Sequence, residues 1–145
     1  MLASPSTAKS VKKQKSQPCE ESWVLVGQRR GRIWHARRIW HSCGEPAEVA
    51  FDAAAVLTRE ERRGDVVGFF HTHPSFVAKP SKRDIATMRG WVSSFGKPLL
   101  CLIAGTDGLQ GFRFDDDESR GEKVAAVELF PRGVVIAVDE GEEIE

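Results

Sequence analysis

The chain has 145 residues, of which 41% are hydrophobic and 29% are charged, a composition typical of one soluble globular domain. Its 21 basic and 21 acidic side chains cancel, which argues against nucleic acid or an anionic membrane as a partner. No apolar run approaches the roughly 20 residues that cross a bilayer, and no hydrophobic segment follows the N-terminal lysines as in a secretory signal. These features predict a cytoplasmic protein.

The two ends of the chain differ in charge from its middle. Residues 9–15 carry four lysines and no acid, whereas residues 139–145 carry five acids and no base. Blocks of like charge are usually solvated. We therefore predict a flexible basic arm over 1–18, a folded domain over 19–138 and an acidic tail over 139–145.

The first half of the domain is predicted to begin with two strands. Residues 22–26 form an apolar run ended by Gly27, with a polar turn over 28–31. The second strand is expected over 33–40, where apolar residues lie among arginines. The arginines of this strand and of the turn before it would either protect a sheet edge from aggregation or bind a partner; they are Arg29, Arg30, Arg32, Arg37 and Arg38. A short third strand is expected over 48–51.

The second half alternates helices and strands. Asp52 is expected to cap a helix over 53–63 that stops at Gly64, and residues 65–71 are apolar on both faces, as in an interior strand. Ser81 opens a second helix, with apolar residues at helical spacing up to Gly96. Further strands are predicted over 99–104, 109–114, 124–130 and 134–138, so the domain is of mixed α/β class.

The cysteines give no sign of a cross-linked or metal-stabilised framework. Cys19, Cys43 and Cys101 are an odd number and have no C-x-x-C spacing. This pattern argues against a disulfide framework and against a cysteine zinc site. It fits a reducing cytoplasm.

The stretch over 71–84, HTHPSFVAKPSKRD, carries the clearest chemical signal. On a strand, residues two apart point to the same face, so His71 and His73 can both reach one metal ion. Asp84, in the first turn of the following helix, can supply a third ligand. Two nitrogens and a carboxylate oxygen suit zinc and leave a fourth position for a water, whose pKa zinc lowers to about 7. The pattern predicts one catalytic zinc ion per chain, with a further carboxylate needed to move protons.

Part of this stretch also has a purely structural interpretation. Ser81 and Asp84 match a capping box, in which a serine N-cap and an acid three residues later satisfy each other's backbone N–H groups. The metal interpretation therefore depends on the whole combination of residues at fixed spacing after a buried strand.

The string H-x-H-P, six residues, then S-x-x-D resembles the signature of the JAMM (MPN+) metalloprotease family, whose small stand-alone members are typical of bacteria. The resemblance implies that His71, His73 and Asp84 bind zinc and that Ser81 stabilises the tetrahedral intermediate. It also implies a cytidine-deaminase-like fold, an α+β fold with a mixed, mostly antiparallel curved sheet flanked by helices. Residues 19–138 would then be the catalytic domain.

The family also has a catalytic glutamate, in a pattern similar to E-x-x-G-x-L-x-G. Aligning this pattern on Leu25 and Gly27 places the glutamate at Glu20, with Trp23 where a glycine is common. Glu21 takes the role if the register shifts by one, since alternation puts the two on opposite faces. We favour Glu20 as the general base.

An N-terminal amphipathic helix usually packs on the sheet in this family, and residues 1–18 lack the apolar stripe for one. Either the helix over 53–63 takes that place or a partner protein covers the surface.

The activity implied by the resemblance is that of a zinc isopeptidase or peptidase. The bond cleaved would be the amide after the C-terminal tail of a ubiquitin-like protein, in deconjugation or precursor processing, possible settings being a bacterial ubiquitin-like system or antiviral defence. Activating-like or conjugating-like enzymes are then expected partners, and Phe76 is a candidate substrate contact. The alternatives are a non-catalytic MPN-type scaffold and a RadC-like DNA-associated protein, although the neutral charge argues against DNA binding.

Overall fold

The structure, a computed structural model, describes residues 19–44 and 52–139. The predicted basic arm, the short strand expected over 48–51 and the acidic residues after 139 lie outside the described residues. The described part contains two helices, α1 (Ala53–Arg63) and α2 (Lys82–Phe95), and a 3-10 turn at Pro131–Gly133. It also contains eight strands: β1 (Glu21–Arg30), β2 (Ile33–Cys43), β3 (Val66–Thr72), β4 (Leu99–Gly105), β5 (Gly108–Phe114), β6 (Glu122–Lys123), β7 (Ala126–Phe130) and β8 (Val134–Val138).

All eight strands belong to one sheet, in the order β6-β5-β4-β3-β1-β2-β8-β7. Only β3 and β4 pair in parallel, and α2 provides the crossover that a parallel pair requires. Gly68 permits this pairing, because a Cβ atom there would collide with the carbonyl group of Leu100. The sheet curls until Val127 of β7 reaches Gly111 of β5. The predicted α+β class with a mixed, mostly antiparallel curved sheet is confirmed.

The core has two layers, one on each face of the sheet. One cluster lies under the helices and includes Val24, Val56 and Met88. The other lies within the curl of the sheet and includes Leu25 and Trp34. Val24 and Leu25 are neighbours in β1, so the alternation of the strand divides the apolar residues between the two layers.

Both helices begin and end where the sequence predicts. The Asp52 side chain accepts a hydrogen bond from Ala54 N at 3.0 Å, and Gly64 ends α1 in the left-handed region at φ 63°. Ser81 caps α2, which Gly96 ends in the same way at φ 69°. Helix α1 packs on the sheet through the fully buried Val56, so it does cover part of the sheet surface.

The predicted turn over 28–31 is wrong. Strand β1 continues through Arg30, and its partners run from Cys43 opposite Glu21 to Ile33 opposite Arg30. The hairpin turn is therefore only two residues long, and its Gly31 has the positive φ of 59° that such turns need.

Strand β2 is not an edge strand, because β8 pairs with its outer side. The edges of the sheet are β6 and β7. At least two of the arginines have partners within the domain instead. Arg29 Nη2 donates to Asp139 Oδ2 at 2.6 Å, and the Arg38 guanidinium lies 4.3 Å from the centre of the Trp23 ring.

Asp139 does not belong to a solvated tail. It is only 2% exposed and also accepts a hydrogen bond from Trp34 Nε1 at 3.0 Å. A buried carboxylate needs such partners, and the ion pair with Arg29 supplies the opposite charge. The folded part of the chain therefore extends to residue 139.

The cysteine spacing argued against a disulfide framework, and this prediction is also wrong. Cys19 and Cys43 are joined by a disulfide, with their Cα atoms 6.0 Å apart. The long β1–β2 hairpin brings the two together, since Glu21 pairs with Cys43. Cys101 is a buried free thiol. None of the helices in the described part of the chain is long and apolar enough to span a bilayer.

Candidate metal centre

The two histidines lie where β3 leaves the sheet. Both are buried, and their Nε2 atoms are 3.1 Å apart. His73 follows the strand, and its backbone N–H donates to Ala104 O at 2.8 Å, which fixes the backbone beside β4. His73 Nδ1 lies 3.1 Å from Val77 O. Because a carbonyl can only accept, this contact places the proton on Nδ1 and leaves the Nε2 lone pair for a metal.

Asp84 completes a cluster of three residues from the first turn of α2. Its Oδ1 lies 3.3 Å from His71 Nε2 and its Oδ2 lies 3.2 Å from His73 Nε2. Ligand atoms bound tetrahedrally to zinc at about 2.0–2.1 Å are separated by about 3.3–3.4 Å. The spacing and the chemistry of the donors therefore fit zinc.

The capping box expected for Ser81 and Asp84 is present. Ser81 N donates to Asp84 Oδ2 at 2.8 Å, and Asp84 N donates to Ser81 Oγ at 3.0 Å. A carboxylate has about four lone-pair positions, so one cap contact leaves room for a metal. The Ser81 hydroxyl acts as an acceptor in the cap and keeps its own O–H for another partner. The cap therefore leaves Asp84 able to bind a metal and Ser81 able to donate its hydroxyl hydrogen.

The electrostatic surroundings keep Asp84 ionised. Burial raises the pKa of its carboxyl, but the hydrogen bond and charge of His71, the Ser81 N–H and His73 together outweigh burial and lower this pKa to about 2. The nearby Cys101 behaves in the opposite way. Burial, and then the charge of Asp84, raise the pKa of the Cys101 thiol, so it stays protonated in the metal-free protein.

Glu20, and not Glu21, lies beside the histidines. One carboxylate oxygen of Glu20 and one nitrogen each of His71 and His73 all lie within 4.8 Å of one another. The Glu20 backbone is held by a 2.8 Å hydrogen bond from Gly44 N to its carbonyl. Glu21 binds His41 instead, with Oε1 2.9 Å from Nε2.

Trp23, where a glycine is common, does not enter the metal centre. It packs against Phe70 and His41, with ring centroids 5.0 Å and 4.9 Å apart. Phe70 belongs to the core layer within the curl of the sheet, whereas Val24 belongs to the layer under the helices. The tryptophan therefore fills the face that the metal centre does not use.

Two contacts that support the candidate metal centre are not indicated by any sequence motif. Thr72, which separates the histidines in sequence, accepts a hydrogen bond from Glu21 N at 2.9 Å and so ties the glutamate strand to the histidine strand. The Val77 carbonyl orients His73, as described above. Both contacts involve backbone atoms, for which residue type gives no signal.

An open groove lies beside the cluster. Its lining includes Glu20, His73, Phe76 and Ser81, together with the basic side chains of Lys79 and Arg83. Phe76 is 70% exposed. Its loop is fixed by hydrogen bonds from Thr106 N to Phe76 O at 2.9 Å and from Ala78 N to Asp107 Oδ1 at 2.7 Å.

Comparison with known proteins gives one family. The model of the family described as prokaryotic homologs of the JAB domain matches residues 6–116. The match includes Glu20, both histidines, Ser81 and Asp84. A search of curated proteins finds no match to the chain.

Proposed function

Because the chain belongs to the family of prokaryotic JAB-domain homologs, we propose that it is a zinc-dependent peptidase or isopeptidase. The observation that carries this proposal is the convergence of His71, His73 and Asp84, at 3.1–3.3 Å, with Glu20 beside them. The family also contains inactive members, so membership alone does not decide the activity. A buried three-ligand cluster with a carboxylate at its open side favours a catalytic centre over a structural one.

His71, His73 and Asp84 are the residues that would hold the metal. When bound, zinc would act as a Lewis acid that makes water more acidic and polarises a carbonyl group. Because its pKa is low, Asp84 is ionised and can offer an oxygen lone pair to a metal. The contact of His73 Nδ1 with the Val77 carbonyl leaves the lone pair of His73 Nε2 for the same metal.

The remaining steps belong to Glu20 and Ser81. Glu20 takes a proton from the attacking water, and the resulting hydroxide adds to the carbonyl carbon of the substrate. The Ser81 hydroxyl donates a hydrogen bond to the oxyanion, which its position in the cap permits because there it only accepts. The C–N bond then breaks as Glu20 returns the proton to the leaving amine.

The proposed substrate is a ubiquitin-like protein, cleaved at the amide bond after its C-terminal tail. Family membership supports this class, and the open groove can receive an extended chain beside Phe76. Activating-like and conjugating-like enzymes would supply such conjugates, in a bacterial ubiquitin-like or antiviral system. We place the reaction in the cytoplasm, where such conjugates would be made, and the Cys19–Cys43 disulfide would then have to resist reduction there.

The test combines metal analysis with cleavage. The purified chain should bind one zinc ion, and His71→Gln and Asp84→Asn should each reduce the zinc content sharply. With zinc bound, ubiquitin or a bacterial sulfur-carrier protein, joined through its C-terminal carboxyl to a fluorogenic amine, should be cleaved. A chain that binds zinc but cleaves neither of these substrates would favour a non-catalytic scaffold.

A further inference from the structure

Ser22 has a buried hydroxyl next to the metal centre that no established role explains. The residue is 3% exposed, and its Oγ has no hydrogen-bond partner among the described residues. Strand pairing places Ser22 directly opposite His71, so both side chains lie on the same face of the sheet. Buried hydroxyls in folded proteins nearly always have a partner, protein or water.

A cavity adjoins both residues. It is lined by Ser22, His71, Thr87, Met88 and Cys101, among others, and has a volume of about 20 Å³. A cavity needs roughly 10–15 Å³ and at least two polar partners to hold one water. This cavity has the volume for one water, and its lining includes the polar residues Ser22, His71, Asp84 and Thr87.

The two histidines differ in how their outer nitrogens are supported. His73 Nδ1 has the Val77 carbonyl as its partner. The polar contacts of His71 are made through Nε2, to His73 and Asp84, and among the described residues its Nδ1 has no hydrogen-bond partner. A histidine that binds a metal normally donates its other N–H to an oxygen, which fixes the tautomer and the ring orientation.

We propose that Ser22 is a positioning residue for the metal centre, acting through one ordered water in this cavity. His71 Nδ1–H donates to the water, and the water donates to Ser22 Oγ. The chain of contacts holds the His71 ring with its Nε2 lone pair toward the metal. The proposal rests on the proposed zinc centre and adds the group that orients its first ligand.

Ser22→Ala tests this role, with Cys101→Ala as the matched control from the same cavity. Zinc affinity is measured by competition with a chelator. We expect Ser22→Ala to bind zinc about 10- to 100-fold more weakly, the usual effect of removing such a contact. Cys101→Ala should stay within about threefold of the wild type. Equal affinity in Ser22→Ala, or equal weakening in both variants, would overturn the proposal.

Two further measurements separate positioning from packing. Nitrogen-15 NMR of the zinc-loaded protein should show a His71 Nδ1 proton that is protected from exchange, and Ser22→Ala should lose this protection. In the zinc-free protein, Ser22→Ala should lower the melting temperature. A higher melting temperature would mean that the hydroxyl has no water partner, and the proposal would be wrong.

The outcome for His71→Gln distinguishes this proposal from the proposed function. If His71→Gln binds zinc as tightly as the wild type, the metal centre itself is wrong. If zinc affinity falls in His71→Gln but stays unchanged in Ser22→Ala, only the role of Ser22 is overturned.

Discussion

Glu21 Oε1 lies 2.9 Å from His41 Nε2, while its neighbour Glu20 lies beside His71 and His73. Because the two adjacent carboxylates lie at different places, replacing each of them should have a different effect on activity. Glu20→Gln should reduce cleavage about 10²- to 10⁴-fold, because it removes the general base, while leaving zinc content unchanged. Glu21→Gln is the control and should retain most of the activity. The measurements are the rate at which each variant cleaves the fluorogenic ubiquitin-like substrate and the zinc content of each variant.

The same pair of variants separates two roles for Glu20. A carboxylate within 4.8 Å of both histidine nitrogens could itself bind the metal. If Glu20→Gln weakens zinc binding as strongly as Asp84→Asn does, Glu20 is a ligand and its role as base is wrong. If Glu21→Gln is the inactive variant, the position of the base is wrong.

Ser81 and Asp52 offer a matched pair of helix caps. Each accepts a backbone N–H at 3.0 Å at the start of its helix. Replacing either by alanine should lower the free energy of unfolding by about 1 kcal/mol. Only Ser81→Ala should also lower kcat, by roughly 10²- to 10³-fold, because only Ser81 can donate to an oxyanion. A kcat in Ser81→Ala equal to that of Asp52→Ala would leave Ser81 with a structural role alone.

The Cys19–Cys43 disulfide is predicted to stabilise the domain and to support activity. It closes a loop with a sequence separation of 24, and Cys19 is bonded directly to Glu20. Cys43→Ser should therefore reduce the free energy of unfolding by about 2–4 kcal/mol. It should also lower kcat, because the Glu20 backbone is then less firmly held. Among the described residues, its remaining contact near the end of β2 is the hydrogen bond from Gly44 N.

The control for this prediction is reduction of the disulfide. Dithiothreitol should change the wild type as the mutation does and should not affect Cys43→Ser further. A wild type insensitive to reductant would contradict the prediction. Alkylation of the two thiols in intact cells would report whether the pair is oxidised there, which also tests the cytoplasmic location.

The ion pair of Arg59 with Asp65 predicts a pH dependence of stability. Arg59 Nε and Nη2 donate to the two carboxylate oxygens at 3.0 Å and 2.7 Å. The hydrogen bonds from Arg59 lower the pKa of Asp65 below its ordinary value. The stabilisation is therefore complete above the unfolded pKa of about 3.9 and is lost as the pH falls through the folded pKa.

Asp65→Asn should accordingly destabilise the protein by roughly 0.5–1 kcal/mol at pH 7, and the difference from the wild type should vanish toward pH 2. Urea unfolding across this range measures the difference, with the exposed Glu61→Gln on the same helix as control. A difference that persists unchanged at pH 2 would show that the ion pair is not its cause.

Phe76 is predicted to contact the substrate. It is 70% exposed at the edge of the groove, so Phe76→Ala should change neither the free energy of unfolding nor the zinc content. We expect a raised KM for the ubiquitin-like fusion. Leu57→Ala, an exposed apolar residue on α1, is the control, and an unchanged KM in Phe76→Ala would assign the substrate contact elsewhere.

Local patterns allowed much of the fold to be predicted. The caps of both helices depend on a few adjacent residues, such as Asp52 and Gly64, and these were placed correctly. The clustering of His71, His73 and Asp84 follows from strand alternation and one helical turn, and the structure brings these three together.

The features that were missed depend on contacts between distant parts of the chain. The pairing of β2 with β8 turned an expected edge strand into an interior one. The length of the β1–β2 hairpin brought Cys19 to Cys43. Burial of Asp139 required Arg29, which is 110 residues away. The spacing of residues along the sequence does not determine the register of such pairings.

The proposed metal ligands and the proposed base come from parts of the chain that lie far apart in sequence. Both histidines and Asp84 belong to the single β3–α2–β4 segment, whereas Glu20 joins them through β1, tied to β3 by a contact 51 residues apart in sequence. The β3–α2–β4 segment alone contains the three proposed metal ligands but not the proposed base. The proposed base therefore reaches the proposed metal ligands only through the long-range pairing of β1 with β3.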